Sequence, residues 1–172
     1  MSGTRHRVET EFALDLAVAA GRITLGYFQS GLDVDLKADG SPVTRADREA
    51  EQYLRRRLAE RFPADGVVGE EYGVERPDAP RRWILDPIDG TKNYVRGVPV
   101  WATVLGLQDA DGQVVVGAVS APALGRRWWA SRGGGAYVSE PGRPEPRRLA
   151  VSQVAQLGDA FLSGAGQLSW AA

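Results

Sequence analysis

The residues best suited to chemistry lie in the run Trp83-Ile84-Leu85-Asp86-Pro87-Ile88-Asp89-Gly90-Thr91-Lys92-Asn93. Asp86 and Asp89 place two carboxylates three positions apart, on a segment constrained by a proline and a glycine. Carboxylates on a constrained turn suit hard divalent cations, which take several oxygen ligands at once and accept backbone carbonyls among them. Ile88, between the two acids, can offer only its carbonyl, and Thr91 adds a hydroxyl. A solvated acidic turn is the alternative for an isolated pair of aspartates, and the complete run argues against it.

The elements that must position these groups follow from pattern. Trp83 to Leu85 reads as a short buried strand ending in Asp86, because Pro87 cannot donate to a ladder. Gly90 is expected to supply a tight turn. A second acidic pair, Glu70-Glu71, follows the short apolar run Val67-Val68, which reads as another strand. Adjacent strand residues face opposite ways, so strand geometry continued through the pair would turn only one of them inward. Thr44-Arg45-Ala46-Asp47 has the spacing of a helix capping box, with Asp in the third helical position. Asp47 is read first as a cap, although one carboxylate can accept further hydrogen bonds.

Two amphipathic helices are expected. Phe12, Leu16, Ala20, Ile23 and Tyr27 recur at helical spacing in Val8 to Gln29, before Gly31. Ala50, Leu54 and Leu58 give the helix after Thr44 its buried side, and Pro63 and Gly66 close it. Val34 to Lys37 reads as a short edge strand, 38–42 as a turn, and Glu75 to Arg82 as a charged surface loop. Trp101 to Leu107 and Val114 to Ala121 form one hairpin around Asp109-Ala110-Asp111-Gly112. Arg127 to Ser131 and Ala136 to Val138 form another around Gly133-Gly134-Gly135, with a last strand at Arg147 to Val151. The glycine run lacks the lysine and hydroxyl of a phosphate-binding loop and reads as a turn. Of the consecutive Trp128 and Trp129, one should face the core and the other a helix or partner. The expected class is α+β: two helices, near 8–29 and 44–62, on one face of a largely antiparallel sheet.

Composition narrows the classes. A chain of 172 residues and 18.5 kDa can bury a substantial core. A net charge of -1 gives no basic field for nucleic acid, and cysteine is absent, which excludes disulfide and thiolate chemistry. Met1 to Arg7 is polar, and no apolar run reaches the roughly 18 residues of a membrane span. The reading is a soluble cytoplasmic protein that binds neither nucleic acid nor membrane. His6, the only histidine, lies in the polar start and is given no role.

On the central run and the two acidic motifs before it, the chain resembles the metal-dependent sugar phosphatases typified by inositol monophosphatase. Asn93 to Ala102, and Ser120 to Leu124 followed by Arg126 to Ala130, are similar to its actinobacterial-type histidinol-phosphatase branch. The resemblance covers nearly the whole chain and implies the N-terminal domain of the layered αβαβα sugar-phosphatase fold. It implies two or three magnesium ions shared by Glu70, Asp86, Asp89, the Ile88 carbonyl and the substrate phosphate. Glu71 and Lys37 would stand behind these ligands, with Asp47 near the cations through water. Thr91, assisted by Glu70, would orient the attacking water, and Gly90, Thr91, Lys92 and Asn93 would bind substrate. Turn-forming or surface roles are the alternatives for Thr91, Lys92, Asn93 and Lys37. Arg96 reads equally as an anion or cross-subunit group and as a solvated arginine, and a homodimer is left open.

The implied reaction is hydrolysis of a small phosphate monoester, first L-histidinol phosphate in histidine biosynthesis, with inositol-1-phosphate or another sugar phosphate as the alternative. A nucleotide 3'-phosphatase of the superfamily would need a long second domain. Residues 1–152 are expected to form the metal-binding domain and 153–172 the start of a second domain or a tail. The family's second domain carries a Trp-Asp-x-Ala-Ala-like motif whose aspartate completes a metal site, whereas Ser169-Trp170-Ala171 has no such aspartate. The expectation is therefore a truncated chain with little or no turnover alone. A non-catalytic metal-binding or oligomerising module is the rival from another class.

Overall fold

The computed structural model describes residues 6–31, 33–38, 40 and 42–161. The expectations for Asp39 and Ser41 in the early turn, for the first five residues, and for Ser169-Trp170-Ala171 lie outside the described residues.

Helix α1 spans Arg7–Tyr27. Its alanines set how closely it lies on the sheet: Ala13, Ala17 and Ala20 are fully buried beside Leu16. A short ribbon follows, in which β1 (Val34–Leu36) pairs antiparallel with β2 (Pro42–Thr44). The strand expected at Val34 thus pairs with the segment entering the next helix and stays outside the main sheet. Helix α2 spans Arg45–Arg61 and begins with the expected capping box. Thr44 Oγ1 accepts from the Ala46 N–H at 3.2 Å, and Asp47 Oδ2 accepts from the Thr44 N–H at 2.8 Å. Such a cap contributes about 1 kcal/mol.

The remaining strands are β3 (Gly66–Gly69), β4 (Gly73–Glu75) and β5 (Arg82–Asp89), then β6 (Ala102–Gln108) and β7 (Val114–Ala121). They continue as β8 (Arg126–Ser131), β9 (Gly135–Ser139) and β10 (Arg147–Leu149). The five-residue helix α3, Thr91–Val95, lies between β5 and β6. One eight-stranded sheet results, in the order β10-β9-β8-β7-β6-β5-β3-β4. Only β3 and β5 pair in parallel, so the sheet is largely antiparallel as expected. β4 was not foreseen, because its three residues are all exposed and carry no apolar alternation.

Both long helices lie on one face. Ala13, Leu16, Ala50, Leu54 and Leu58 pack with Leu85, Leu105, Leu107, Val116 and Ala118 in a single core. Burying each leucine of this kind contributes about 1.5–3 kcal/mol. Trp83 is fully buried among Phe12 and Phe62, and its indole N–H donates to Asp65 Oδ2 at 3.1 Å. Trp129 packs against the same core, whereas Trp128, its neighbour, lies on the opposite face.

β5 departs from expectation in a way that matters for the site. Its ladder does not stop at Asp86. Asp86 pairs with Val104, and Asp89 pairs with Ala102. Three steps along β5 therefore match two along β6, which is a bulge at Pro87-Ile88. The proline is accommodated there, and its carbonyl accepts from the Thr103 hydroxyl at 2.8 Å. Among the described residues no helix is long and apolar enough to cross a membrane. Residues 151–161 are exposed throughout.

Candidate functional site

The bulge explains why a three-residue spacing works. In a regular strand, residues three apart point to opposite faces. The extra residue brings Asp86 and Asp89 opposite Val104 and Ala102, two positions that share a face. Leu85 is buried under the helices, so Asp86 lies on the sheet face turned away from them. Gly90 then takes a left-handed conformation, φ 92°, and caps α3. A Cβ at Gly90 would lie 3.1 Å from the Val100 carbonyl oxygen, so both backbone angle and space require glycine.

Ile88 turns its side chain into a small second core with Ala46, Tyr94 and Trp101. Its carbonyl accepts from Thr91 Oγ1 at 2.9 Å. The structure therefore joins the two groups that resemblance assigned to ligation and water orientation. A carbonyl has two lone pairs, so this bond leaves one.

Glu70 and Glu71 correct the strand argument. β3 ends at Gly69, and the pair sits in the turn that follows. Both reach Lys37, with Nζ 2.6 Å from Glu70 Oε1 and 2.8 Å from Glu71 Oε1. The Glu71 side chain is 5% exposed and that of Glu70 40%, so Glu70 is the more available. Burial lowers the pKa of Lys37, but its hydrogen bonds to the two glutamates outweigh this and hold the ammonium charged. Burial raises the Glu71 carboxyl against the pull of Lys37.

Asp86 carries the strongest signal. Burial, the charge of Glu70, a hydrogen bond to Glu70 and the charge of Asp89 push its carboxyl up to about 8. Its Oδ1 is buried with no partner among the described residues. Asp47 is similar: fully buried, its carboxyl raised first by burial and also by the Glu70 charge, with Oδ1 unpartnered. Thr44 opposes that rise through its hydrogen bonds. Among the described residues no three acidic or histidine side chains are gathered round one point in the manner of a finished ion cage. The donor set nevertheless fits a hard divalent cation: carboxylate and carbonyl oxygens, two carboxylate oxygens buried without partners, and a carboxyl that takes a proton where a cation would relieve it.

A cleft of about 260 Å³ opens beside Asp89 and Gly90. Asn93, Trp101, Leu124 and Trp128 also line it. Asn93 Nδ2 donates to the Val100 carbonyl at 2.9 Å and so pins the loop that forms one wall. Lys92 and Arg96 are exposed and do not line this cleft. His6 accepts through its carbonyl from Thr10 and lies apart from these groups.

Sequence reasoning missed Glu51. It is fully buried on α2, where Oε2 accepts from the Glu71 N–H at 2.7 Å and Oε1 from the Tyr72 N–H at 3.1 Å. Arg55 donates to Glu51 Oε1 at 2.8 Å. A Cβ at Gly69 would overlap the Glu51 carboxylate, so that glycine admits it. Glu51 thus holds the turn that presents Glu70. The available signal was an acid on the apolar stripe, four residues after Asp47 and three before Leu54, with Arg55 four residues on.

Comparison with known proteins gives a consistent picture. Residues 6–169 match the model of the inositol monophosphatase family. A histidinol-phosphatase of Mycobacterium tuberculosis is 51% identical over 160 residues, covering 92% of this chain and 61% of the relative. A histidinol-phosphatase of Streptomyces coelicolor is 50% identical over 159 residues, covering 90% of this chain and 59% of the relative. The chain thus spans about three fifths of the length of these curated relatives. The crystal structure of the extragenic suppressor protein suhB from Bartonella henselae superimposes with a TM-score of 0.76 at 30% identity, covering 86% of this chain and 55% of that one.

Proposed function

The chain belongs to the inositol monophosphatase family, and on that premise we propose that it supplies ligands to a magnesium-dependent phosphate-monoester hydrolase site. L-Histidinol phosphate is the proposed substrate, supported by the names of the two histidinol-phosphatases with which half of the aligned residues are shared. The observation that carries the reading is Asp86, whose buried, unpartnered oxygen and raised carboxyl sit between Glu70 and Asp89.

Glu70, Asp86, Asp89 and the Ile88 carbonyl would hold the cation, with Asp47 behind them. When bound, magnesium supplies neutralisation of phosphate charge, activation of water and stabilisation of the leaving alkoxide. The chain's own groups do the rest. Thr91 donates its proton to Ile88, which leaves the hydroxyl oxygen free to accept from a water and orient it. Glu70, partly exposed and held by Lys37, can swing to take a proton from that water. Leu124 and Trp128 give the alcohol half of the substrate an apolar wall beside Asp89. Lys37 opposes the rise that burial imposes on the Glu71 carboxyl and balances the acidic cluster.

Two measurements test this. Calorimetric magnesium titration should show binding that is lost when Glu70, Asp86 and Asp89 are all changed to alanine, and unchanged binding refutes the site. Binding and hydrolysis of L-histidinol phosphate and inositol-1-phosphate are then compared side by side, with and without Asp89→Asn. Three carboxylates and a carbonyl are few ligands for two cations, so these 172 residues should bind magnesium yet release phosphate slowly by themselves. A preference for inositol-1-phosphate would overturn the substrate and leave the metal site standing.

A further inference from the structure

The helix-covered side of the sheet carries a second cleft, of about 250 Å³, where α1 meets the end of β7 and the start of β8. Arg22 of α1, Arg126 and Arg127 line it with Ser120, over an apolar base that includes Val18 and Pro122. No carboxylate lines it among the described residues. Arg22 makes no ion pair or side-chain hydrogen bond with another described residue, and it is exposed. Among the described residues Arg127 donates only to a neutral group, Ser139 Oγ, at 3.2 Å. Arg126 has one acid, Glu140 at 3.3 Å, which Arg147 also holds at 3.4 Å.

Arg127 stands opposite Ser120 and Arg126 opposite Ala121, so the Arg126 side chain turns to the other face of the sheet, where Glu140 holds it, and the cleft keeps the guanidinium groups of Arg22 and Arg127 with no carboxylate among the described residues. The whole chain has a net charge of -1, so this is a local concentration of positive charge and not part of a general basic surface. Grouped like charges repel, and a multiply charged anion placed among them reverses the sign of that interaction. Ser120 adds a hydroxyl on a residue only 3% exposed, with no hydrogen-bond partner among the described residues. Gly21 keeps the helix clear of it, since a Cβ there would lie 3.1 Å from Ser120 Oγ. Planar guanidinium forks match tetrahedral oxyanions bidentately, which a single ammonium cannot do.

We propose that this cleft binds a phosphate dianion, as orthophosphate or as the head of a phosphate monoester. The site uses none of the carboxylates assigned to magnesium, and it stands or falls independently of the proposed hydrolysis. The test is calorimetric titration of orthophosphate and of methyl phosphate into the 172-residue chain at low ionic strength with a chelator present. Arg22→Gln with Arg127→Gln should weaken binding about tenfold or more. Arg56→Gln with Arg57→Gln, an equal charge change on exposed residues of α2, should leave it unchanged. Arg22→Lys with Arg127→Lys keeps the charge and the fold but removes the forks, so an intermediate loss is expected. Binding of both anions assigns the free ion, and binding of methyl phosphate alone assigns the ester. Absence of binding by both anions, equal losses in the two glutamine pairs, or full affinity in the lysine pair would each overturn the proposal.

Discussion

Asp86→Asn should stabilise the metal-free protein at neutral pH while removing its response to magnesium. The Asp86 carboxyl moves from an ordinary 3.8 to about 8 on folding. Between those values the folded chain holds a proton that the unfolded chain releases. Stability therefore falls as pH rises through that window. At pH 7 the penalty has a ceiling of about 4 kcal/mol, from roughly 1.4 kcal/mol per pH unit above the unfolded value. Asp86 is only half-buried, and screening by solvent brings the figure to roughly 2 kcal/mol. Asparagine carries no such charge and can still donate to Glu70. The variant should melt about 4–8 °C higher than the wild type at pH 7 in chelator, and the gain should vanish towards pH 4. Adding magnesium should raise the melting temperature of the wild type and hardly that of the variant. Thermal melts at pH 4, 5.5 and 7, with and without the ion, make the comparison. A variant less stable than wild type at pH 7 in chelator, or a gain that does not change with pH, would refute the reasoning.

Two further outcomes follow from the supports of the site. Gly90→Ala forces a left-handed backbone on a residue with a side chain and crowds the Val100 carbonyl, so urea unfolding should show a loss of about 2 kcal/mol; a loss below about 0.5 kcal/mol would mean that the turn relaxes freely. Glu51→Ala strips the buried partner from Arg55 and from two backbone N–H groups, so a loss of about 3 kcal/mol is expected, together with weaker magnesium binding as the Glu70-Glu71 turn loosens. Unaltered magnesium affinity in a folded Glu51→Ala protein would show that the turn does not depend on α2.

Much of the molecule was legible from local pattern. The alanine-rich stripe of α1, the Thr44–Asp47 capping box, the two glycine-marked hairpins and the Asp86-to-Thr91 run all express rules that act within a few residues. Chain order alone also placed two helices on a mostly antiparallel sheet. What tertiary structure decided was register and proximity. Pro87 read as the end of a ladder, yet pairing with β6 absorbed it as a bulge, and only that bulge puts Asp86 and Asp89 on one face. Glu70 and Glu71 read as opposed along a strand, yet β3 stops before them and both reach Lys37, more than thirty residues earlier. No local pattern singled out Glu51, and none joined Arg22 to Arg127, which lies far along the chain. Helical and turn preferences are set by each residue's own backbone and near neighbours, whereas the charge state of Asp86 and the grouping of arginines are set by which distant strands and helices exclude water together.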